Sequence, residues 1–392
     1  MMQDVFILSA RRTPIGAFQG ALAPLSAPQL GAIAAQAAMN DANVSGDSLD
    51  ETIFGCVLSA GLGQAPARQA ALAARVPQRV PATTINKMCG SGMKAIMLGS
   101  DQIRAGSAQL VLAGGLESMT NAPYLLPKAR AGLRMGHAEL LDHMFFDGLQ
   151  NPYDKQLMGY FADATAKKYE FTREQQDAYA AESVRRALAA VEAGAFEQEI
   201  AAATVKDRKG ERVISKDETP FTCDIAKIST LKPAFNKDGT VTAASSSSIS
   251  DGAAALVLAG SDAVRAHESK PIARIVGYAS FAQAPEWFTT APVGAIKSVI
   301  EKTGWKLDQV DLFEVNEAFA CVAMAAIHDL RLDPAKVNIN GGACALGHPI
   351  GATGARIVTT LIHSLKRTGG KRGVAALCIG GGEATALALE VL

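Results

Sequence analysis

Long apolar runs, paired cysteines and an excess of either charge are all missing from this sequence. No stretch is long and apolar enough to span a bilayer as a helix. The six cysteines, Cys56, Cys89, Cys223, Cys321, Cys344 and Cys378, are scattered, and none forms a C-x-x-C pair. That argues against a zinc ribbon or a thioredoxin-type dithiol. Lysine plus arginine number 38 and aspartate plus glutamate 38, so formal net charge is zero. With no basic tail and no basic–aromatic stripe, nucleic acid is not an expected partner. A signal-peptide pattern is also lacking: Met1 to Arg12 reads as a strand followed by a turn, and unpaired thiols suit a reducing compartment. The expectation is a cytoplasmic protein with no membrane contact.

What is present is a chain of 392 residues with 36 glycines, too long for one small core, in which short apolar strands alternate with amphipathic helices. Strands are expected at Val5–Leu8, Thr52–Leu58, Thr83–Ile85 and Leu110–Ala113. Helices are expected from Ala27 to Asn40, up to Ala74, and from Cys89 to a stop at Gly106. From Glu117 to about Ala244 strands become scarce and polar residues increase, which suggests an insertion over a site. Within it, Thr172 and Gln175 form a capping box for a helix to Glu192, closed by Gly194. The serine run Ser245–Ser248 leads into an apolar strand, Ala253–Leu258, and is expected to be ordered against the core. The second half repeats the outline, with strands at Ile272–Val276, Val310–Val315 and Val374–Ile379, and a helix at Ala291–Lys302 capped by Thr290. This alternation predicts an α/β fold with a largely parallel core.

Three stretches carry chemistry-bearing residues among glycines. Cys89, in Asn86-Lys87-Met88-Cys89-Gly90-Ser91-Gly92, precedes a helix, whose N-terminal N–H groups favour thiolate. Taken alone, the stretch fits a buried structural cysteine as well as a nucleophile. His348 precedes Pro349, which suits a first helical position, so the imidazole is expected at a helix N-terminus and neutral. Cys378 ends an apolar strand ahead of Gly380-Gly381-Gly382, where free N–H groups could hold an oxyanion, while a buried core cysteine fits the local sequence at least as well. Asn316-Glu317 ends another strand, and Asn316 could be a site residue or a helix N-cap. Each half thus feeds a strand into a small-residue loop bearing a nucleophile or base, then a helix, then a glycine-ended strand. Packed face to face, the halves would bring Cys89 and His348 together. The spacing does not suit a compact zinc site, and no metal is expected.

With these residues in view, the chain resembles the thiolase family, of the acetyl-CoA acetyltransferase type, over essentially its whole length. The resemblance rests on Asn86–Ala95, Glu314–Phe319, Asn340–Ala343 with Gly347–Gly351, and Cys378–Gly382, and extends to Gly63–Gln69 and Glu117–Pro123. It implies a five-layered αβαβα thiolase fold of two similar halves. Residues 1–118, completed by 250–270, would form one half and 271–392 the other, with a loop domain at 119–249 covering the coenzyme A site. It also implies roles: Cys89 as acyl carrier, His348 as its base, Cys378 as base at the α-carbon, and Asn316 holding a water at the enolate. The N–H groups of Cys89 and Gly380 would hold the tetrahedral intermediate. Contacts to coenzyme A and the acyl group fall on Ser247, Met158, Ala318, Phe319, Phe235, Phe288 and Leu149.

The implied reaction joins two acetyl-CoA into acetoacetyl-CoA, or reverses it, with coenzyme A thioesters as substrates and no permanently bound cofactor. Departures from the family occur at Leu157, where members often have histidine, at Pro220, where a cation often lies, and at Phe288, which replaces a methionine. Lys128, Arg130 and Arg134 fall where the family has a tetramerisation loop, which implies a homotetramer built of two dimers. The alternatives are a degradative 3-ketoacyl-CoA thiolase acting on longer chains and a non-catalytic acyl-CoA or lipid binder, which would be expected to lose a catalytic residue. A cysteine hydrolase would leave Cys378 and the Gly380 loop unexplained.

Overall fold

The computed structural model describes residues 3–207 and 210–392; Met1 and Met2 of the expected N-terminal segment lie outside the described residues. Nine strands form one hydrogen-bonded path: β1 (Val5–Arg12), β2 (Glu51–Gly55), β3 (Ala82–Ile85), β4 (Leu110–Ser118), β5 (Ser250–Gly260), β6 (Ala273–Ala282), β7 (Leu312–Val315), β8 (Arg372–Ile379) and β9 (Glu383–Val391). Their order is β7-β8-β9-β6-β1-β5-β4-β2-β3, and the short Gly16–Ala17 pairs onto β5. The halves meet at β1, whose Val5–Ile7 pairs with β5 on one side and β6 on the other.

Period-two alternation along the strands builds the layers. One face of β1, β2, β4 and β5 packs on α1 (Ala27–Asp41) and α2 (Pro66–Ala73). The opposite face, with Ile53, Val111, Ala113 and Leu256, meets α3 (Ser91–Ala105) and a C-terminal helix, Thr353–Thr368. Those two helices form the central layer, because Ala375, Leu377, Leu387 and Leu389 of the second half cover their other side. The alternate residues Val374, Ala376 and Cys378 point outward to Ala291–Thr303 and Ala320–Leu330. The result is helix, sheet, helix, sheet, helix, as expected.

The core is not largely parallel. Only β2–β3, β2–β4 and β7–β8 are parallel. The five pairings that surround β1 and β9 are antiparallel. Strands β8 and β9 are joined by the hairpin-length Gly380–Gly382 turn, a link that can only join antiparallel neighbours, and Gly381 and Gly382 there have φ of +97 and +91. The other four antiparallel pairs join strands distant in the chain. The sequence reading stops at Ile379 and misses β9, whose alanine, leucine and glutamate favour helix. Pairing with both β6 and β8 overrides that preference.

Local signals held elsewhere. The Thr172 N–H donates to Gln175 Oε1 at 2.9 Å, and the Gln175 N–H to Thr172 Oγ1 at 3.2 Å, at the start of Arg173–Glu192. Gly106 and Gly304 close their helices at φ +78 and +68. The Thr290 hydroxyl, by contrast, donates to the Trp287 carbonyl and does not cap Ala291–Thr303. The serine run is ordered: Ser245 and Ser246 are buried, and the Ser247 N–H donates to Ala318 O at 2.9 Å. Arg12, fully buried on β1, holds Glu199 at 2.6 Å and Asp217 at 2.7 Å, tying the polar insertion to the sheet.

Candidate active site

Cys89 sits between β3 and the first turn of α3. Asn86, Lys87 and Met88 make a tight connection, with Met88 in the left-handed region at φ +47. The Met88 N–H donates to Asn86 Oδ1 at 2.9 Å, and Ser91 Oγ accepts from the Lys87 N–H at 2.8 Å. An ion pair between Lys87 and Glu383 reaches across to the second half. Cys89 is half-buried. Its sulfur faces the backbone N–H groups of Gly380 and of Cys89 itself.

These donors do not make it a resting thiolate. Burial pushes the thiol up to about 11, against the two N–H groups, and the nearby Glu117 carboxylate adds to the rise. The expected thiolate-favouring effect of the helix end is present but outweighed. Cys89 is a thiol that needs a base.

His348 lines one cavity with Cys89. Its Nδ1 lies 2.7 Å from Thr353 Oγ1, and that hydroxyl donates to Pro349 O at 3.0 Å. The single hydroxyl proton is thereby used, so Nδ1 must be the N–H donor and Nε2 carries the free lone pair. Nε2 is buried without a partner among the described residues. Burial, and then the nearby Arg356 charge, lower the imidazole to about 3, so it is neutral. The neutrality was expected, but its cause differs. The helix begins at Thr353, not Pro349, so His348 does not project from a helix N-terminus.

Asn316 is not a helix cap either: the N-cap position belongs to Phe319, ahead of Ala320–Leu330. Asn316 is buried, and both its side-chain atoms lack a partner among the described residues. Such an amide is costly unless the site gives it something to bind. Cys378 is fully buried at the end of β8, where burial and the neighbouring sulfur of Cys89 both push its thiol up.

A cavity of about 370 Å³ opens above these groups. Cys89, His348 and Gly380 line it together with Ser247, Met158, Ala318, Phe319, Phe235, Phe288 and Leu149. Cys378 and Asn316 do not line it. The walls are mostly apolar, and Leu157 is among them. Gly159 admits the Phe235 ring, which a Cβ there would meet at 2.2 Å. Among the described residues no three His, Cys, Asp or Glu side chains are grouped to hold a metal.

The halves meet through glycines. A Cβ on Gly115 would lie 2.1 Å from the Gly351 carbonyl oxygen, and one on Gly92 would lie 2.8 Å from the Ala355 nitrogen. This close approach sets His348 and Cys89 on one cavity although they lie in opposite halves. Sequence reasoning missed Thr353 here and placed Glu117 in a family-like stretch without a role; what each touches arises only once the halves are packed.

A thiol facing two N–H donors, with an oriented neutral imidazole on the same apolar cavity, is the equipment of a covalent acyl-transfer enzyme. The chain belongs to the thiolase family: residues 5–262 match the thiolase N-terminal domain and residues 269–391 the thiolase C-terminal domain. It is 48% identical over 390 residues to an acetyl-CoA acetyltransferase of Pseudomonas aeruginosa, covering 99% of both chains. Its fold matches the crystal structure of the Bacillus anthracis acetyl-CoA acetyltransferase with a TM-score of 0.97 at 43% identity, over 100% of this chain and 99% of that one. It matches the Acat5 thiolase of Ascaris suum in complex with coenzyme A at a TM-score of 0.94 and 45% identity, over the whole of both chains.

Proposed function

We propose that the protein is an acetyl-CoA C-acetyltransferase, joining two acetyl-CoA into acetoacetyl-CoA and coenzyme A, or reversing that condensation. The observation that carries this reading is the convergence of Cys89, the bare Nε2 of His348 and the Gly380 N–H on one cavity.

In the first half-reaction His348 Nε2 takes the Cys89 proton as the sulfur attacks the thioester carbonyl. The developing oxyanion accepts from the N–H groups of Cys89 and Gly380. The carbon–sulfur bond to coenzyme A breaks, leaving an acetyl group on Cys89. In the second, Cys378 takes a proton from the α-carbon of another acetyl-CoA. Cys378 is a thiol at rest, so it must first give up its own proton. The departing coenzyme A thiolate is a base formed at that moment. The resulting enolate is stabilised by imidazolium His348 and by Asn316, acting through a water. It attacks the acetyl carbon on Cys89, and the Cys89 sulfur leaves and regains its proton from His348. The buried, partnerless amide of Asn316 supports its part. Ser247, Ala318, Phe319 and Phe235 would flank the pantetheine, and Leu149, Met158 and Phe288 the acyl group.

Incubation with acetyl-CoA followed by intact-mass measurement tests the reading. A single acetyl adduct is expected on the wild type and none on Cys89→Ala. Absence of any adduct on the wild type overturns it. The apolar lining at Leu149, Met158 and Phe288 favours one second reading, thiolysis of longer 3-ketoacyl-CoA. Relative rates on acetoacetyl-CoA and 3-ketohexanoyl-CoA separate the two. A homotetramer is proposed from the segment carrying Lys128, Arg130 and Arg134, which also exposes Tyr124, Leu133, Met135 and Leu140. The compartment is proposed to be the cytoplasm; no helix among the described residues is long and apolar enough to cross a membrane.

A further inference from the structure

Glu117 begins the stretch Glu117–Pro123 that the sequence singles out, and the acyl-transfer chemistry does not use it. It is the penultimate residue of β4 and has no exposure to solvent. Among the described residues no cation pairs with it. Instead three backbone donors converge on its carboxylate: Val57 N–H at 3.0 Å, Leu58 N–H at 3.1 Å and Gly351 N–H at 2.8 Å. The Cys56 thiol adds a weak fourth contact at 3.7 Å.

The donors come from two places that matter. Gly351 lies three residues beyond His348, in the turn Pro349–Ala352 that precedes the helix carrying Thr353. Val57 lies beyond β2 in the first half, and its carbonyl accepts from Asn86 Nδ2 at 3.5 Å. Asn86 Oδ1 in turn accepts from the N–H of Met88, the left-handed residue next to Cys89. The path therefore runs from the base loop through Glu117 to the nucleophile loop. Room for it is limited: a Cβ on Gly351 would meet Glu117 Oε2 at 2.6 Å. A buried carboxylate held chiefly by backbone N–H groups fixes the positions of the segments that donate to it.

We propose that Glu117 is a positioning residue that fixes the His348 loop against the Cys89 loop, so that Nε2 and sulfur meet in register. This rests on the acyl-transfer reading above. The carboxylate also faces Cys89 electrostatically and opposes its ionisation. Cys56 is the other titratable group against it, and burial followed by Glu117 pushes that thiol up as well.

Glu117→Gln keeps the shape, removes the charge and turns an amide donor toward backbone donors. Acylation of Cys89 by acetyl-CoA, followed by rapid-quench intact mass, is expected to fall about 30-fold while the KM for acetyl-CoA stays within about twofold. The pH dependence of Cys89 alkylation by iodoacetamide is expected to move to lower pH, because a neutral neighbour no longer opposes thiolate. A loss of packing alone would not produce that shift. Should Glu117→Gln fail to fold, Asn86→Ala on the exposed loop tests the far end of the path, with an expected loss of about tenfold in acylation at unchanged KM. No adduct on the wild type overturns the acyl-transfer reading itself. A wild-type adduct, with acylation within twofold and alkylation unshifted in whichever variant folds, overturns only the role given to Glu117.

Discussion

Thr353 Oγ1 stands 2.7 Å from His348 Nδ1 and gives its own proton to Pro349. One hydroxyl thereby selects the imidazole tautomer and aims the other nitrogen at the cavity.

Thr353→Val removes that selection while preserving shape. Single-turnover acetylation of Cys89 is expected to drop by about 10-fold to 100-fold with KM nearly unchanged, and Thr353→Ser to recover most of the rate. Equal rates in Thr353→Val and wild type would show that the tautomer is set elsewhere.

His348 also gives stability a pH dependence. Its folded value is lowered to about 3 by burial first and Arg356 second. Between the ordinary imidazole value and about 3, the unfolded chain therefore binds a proton that the folded chain excludes. Stability is full above that window and falls as pH falls through it. Chemical denaturation at pH 7 and pH 5 is expected to show wild type losing about 2 kcal/mol more than His348→Asn.

Cys378→Ala separates the two half-reactions. Cys89 should still acetylate at a rate within a few-fold of wild type, while acetoacetyl-CoA formation falls by about 1000-fold or more. A parallel loss in both steps would remove Cys378 from the α-carbon.

The glycine contact between the halves makes a structural prediction. A Cβ at Gly115 would fall 2.1 Å from a backbone oxygen, which cannot rotate away. Gly115→Ala is expected to cost about 3 kcal/mol in urea denaturation, whereas Gly106→Ala, open on all sides, should act mainly through its left-handed backbone and cost about 1 kcal/mol.

The legible features were local ones. A cysteine between small residues ahead of an amphipathic pattern marked Cys89, and the glycine triplet marked the turn after Cys378. The capping box at Thr172 fixed a helix start without tertiary help. Features that failed depended on distant partners. Glutamate and alanine in Glu383–Val391 favour helix until two neighbouring strands claim them. The high value of the Cys89 thiol comes from burial that no spacing reveals. Thr353 carries no motif of its own, and Glu117, though in a stretch that the resemblance covers, meets Gly351 across 234 positions of chain. The antiparallel centre is not legible from alternation of strands and helices, because four of its five pairs join strands far apart in the chain.

The position of β1 bears on how the chain is made. Val5 pairs with Gly260 on one flank and Ile275 on the other, partners 255 and 270 positions further along the chain. Contacts so distant in sequence close slowly. Until Ile275 has been added, an apolar strand of the future core has at least one open edge and is a site for chaperone capture or aggregation. Chains truncated before Ile275 should therefore accumulate as insoluble material. The seam that unites the two halves can close only once Ile275 has been made, while β6 still waits for β9 at Ala273–Val391.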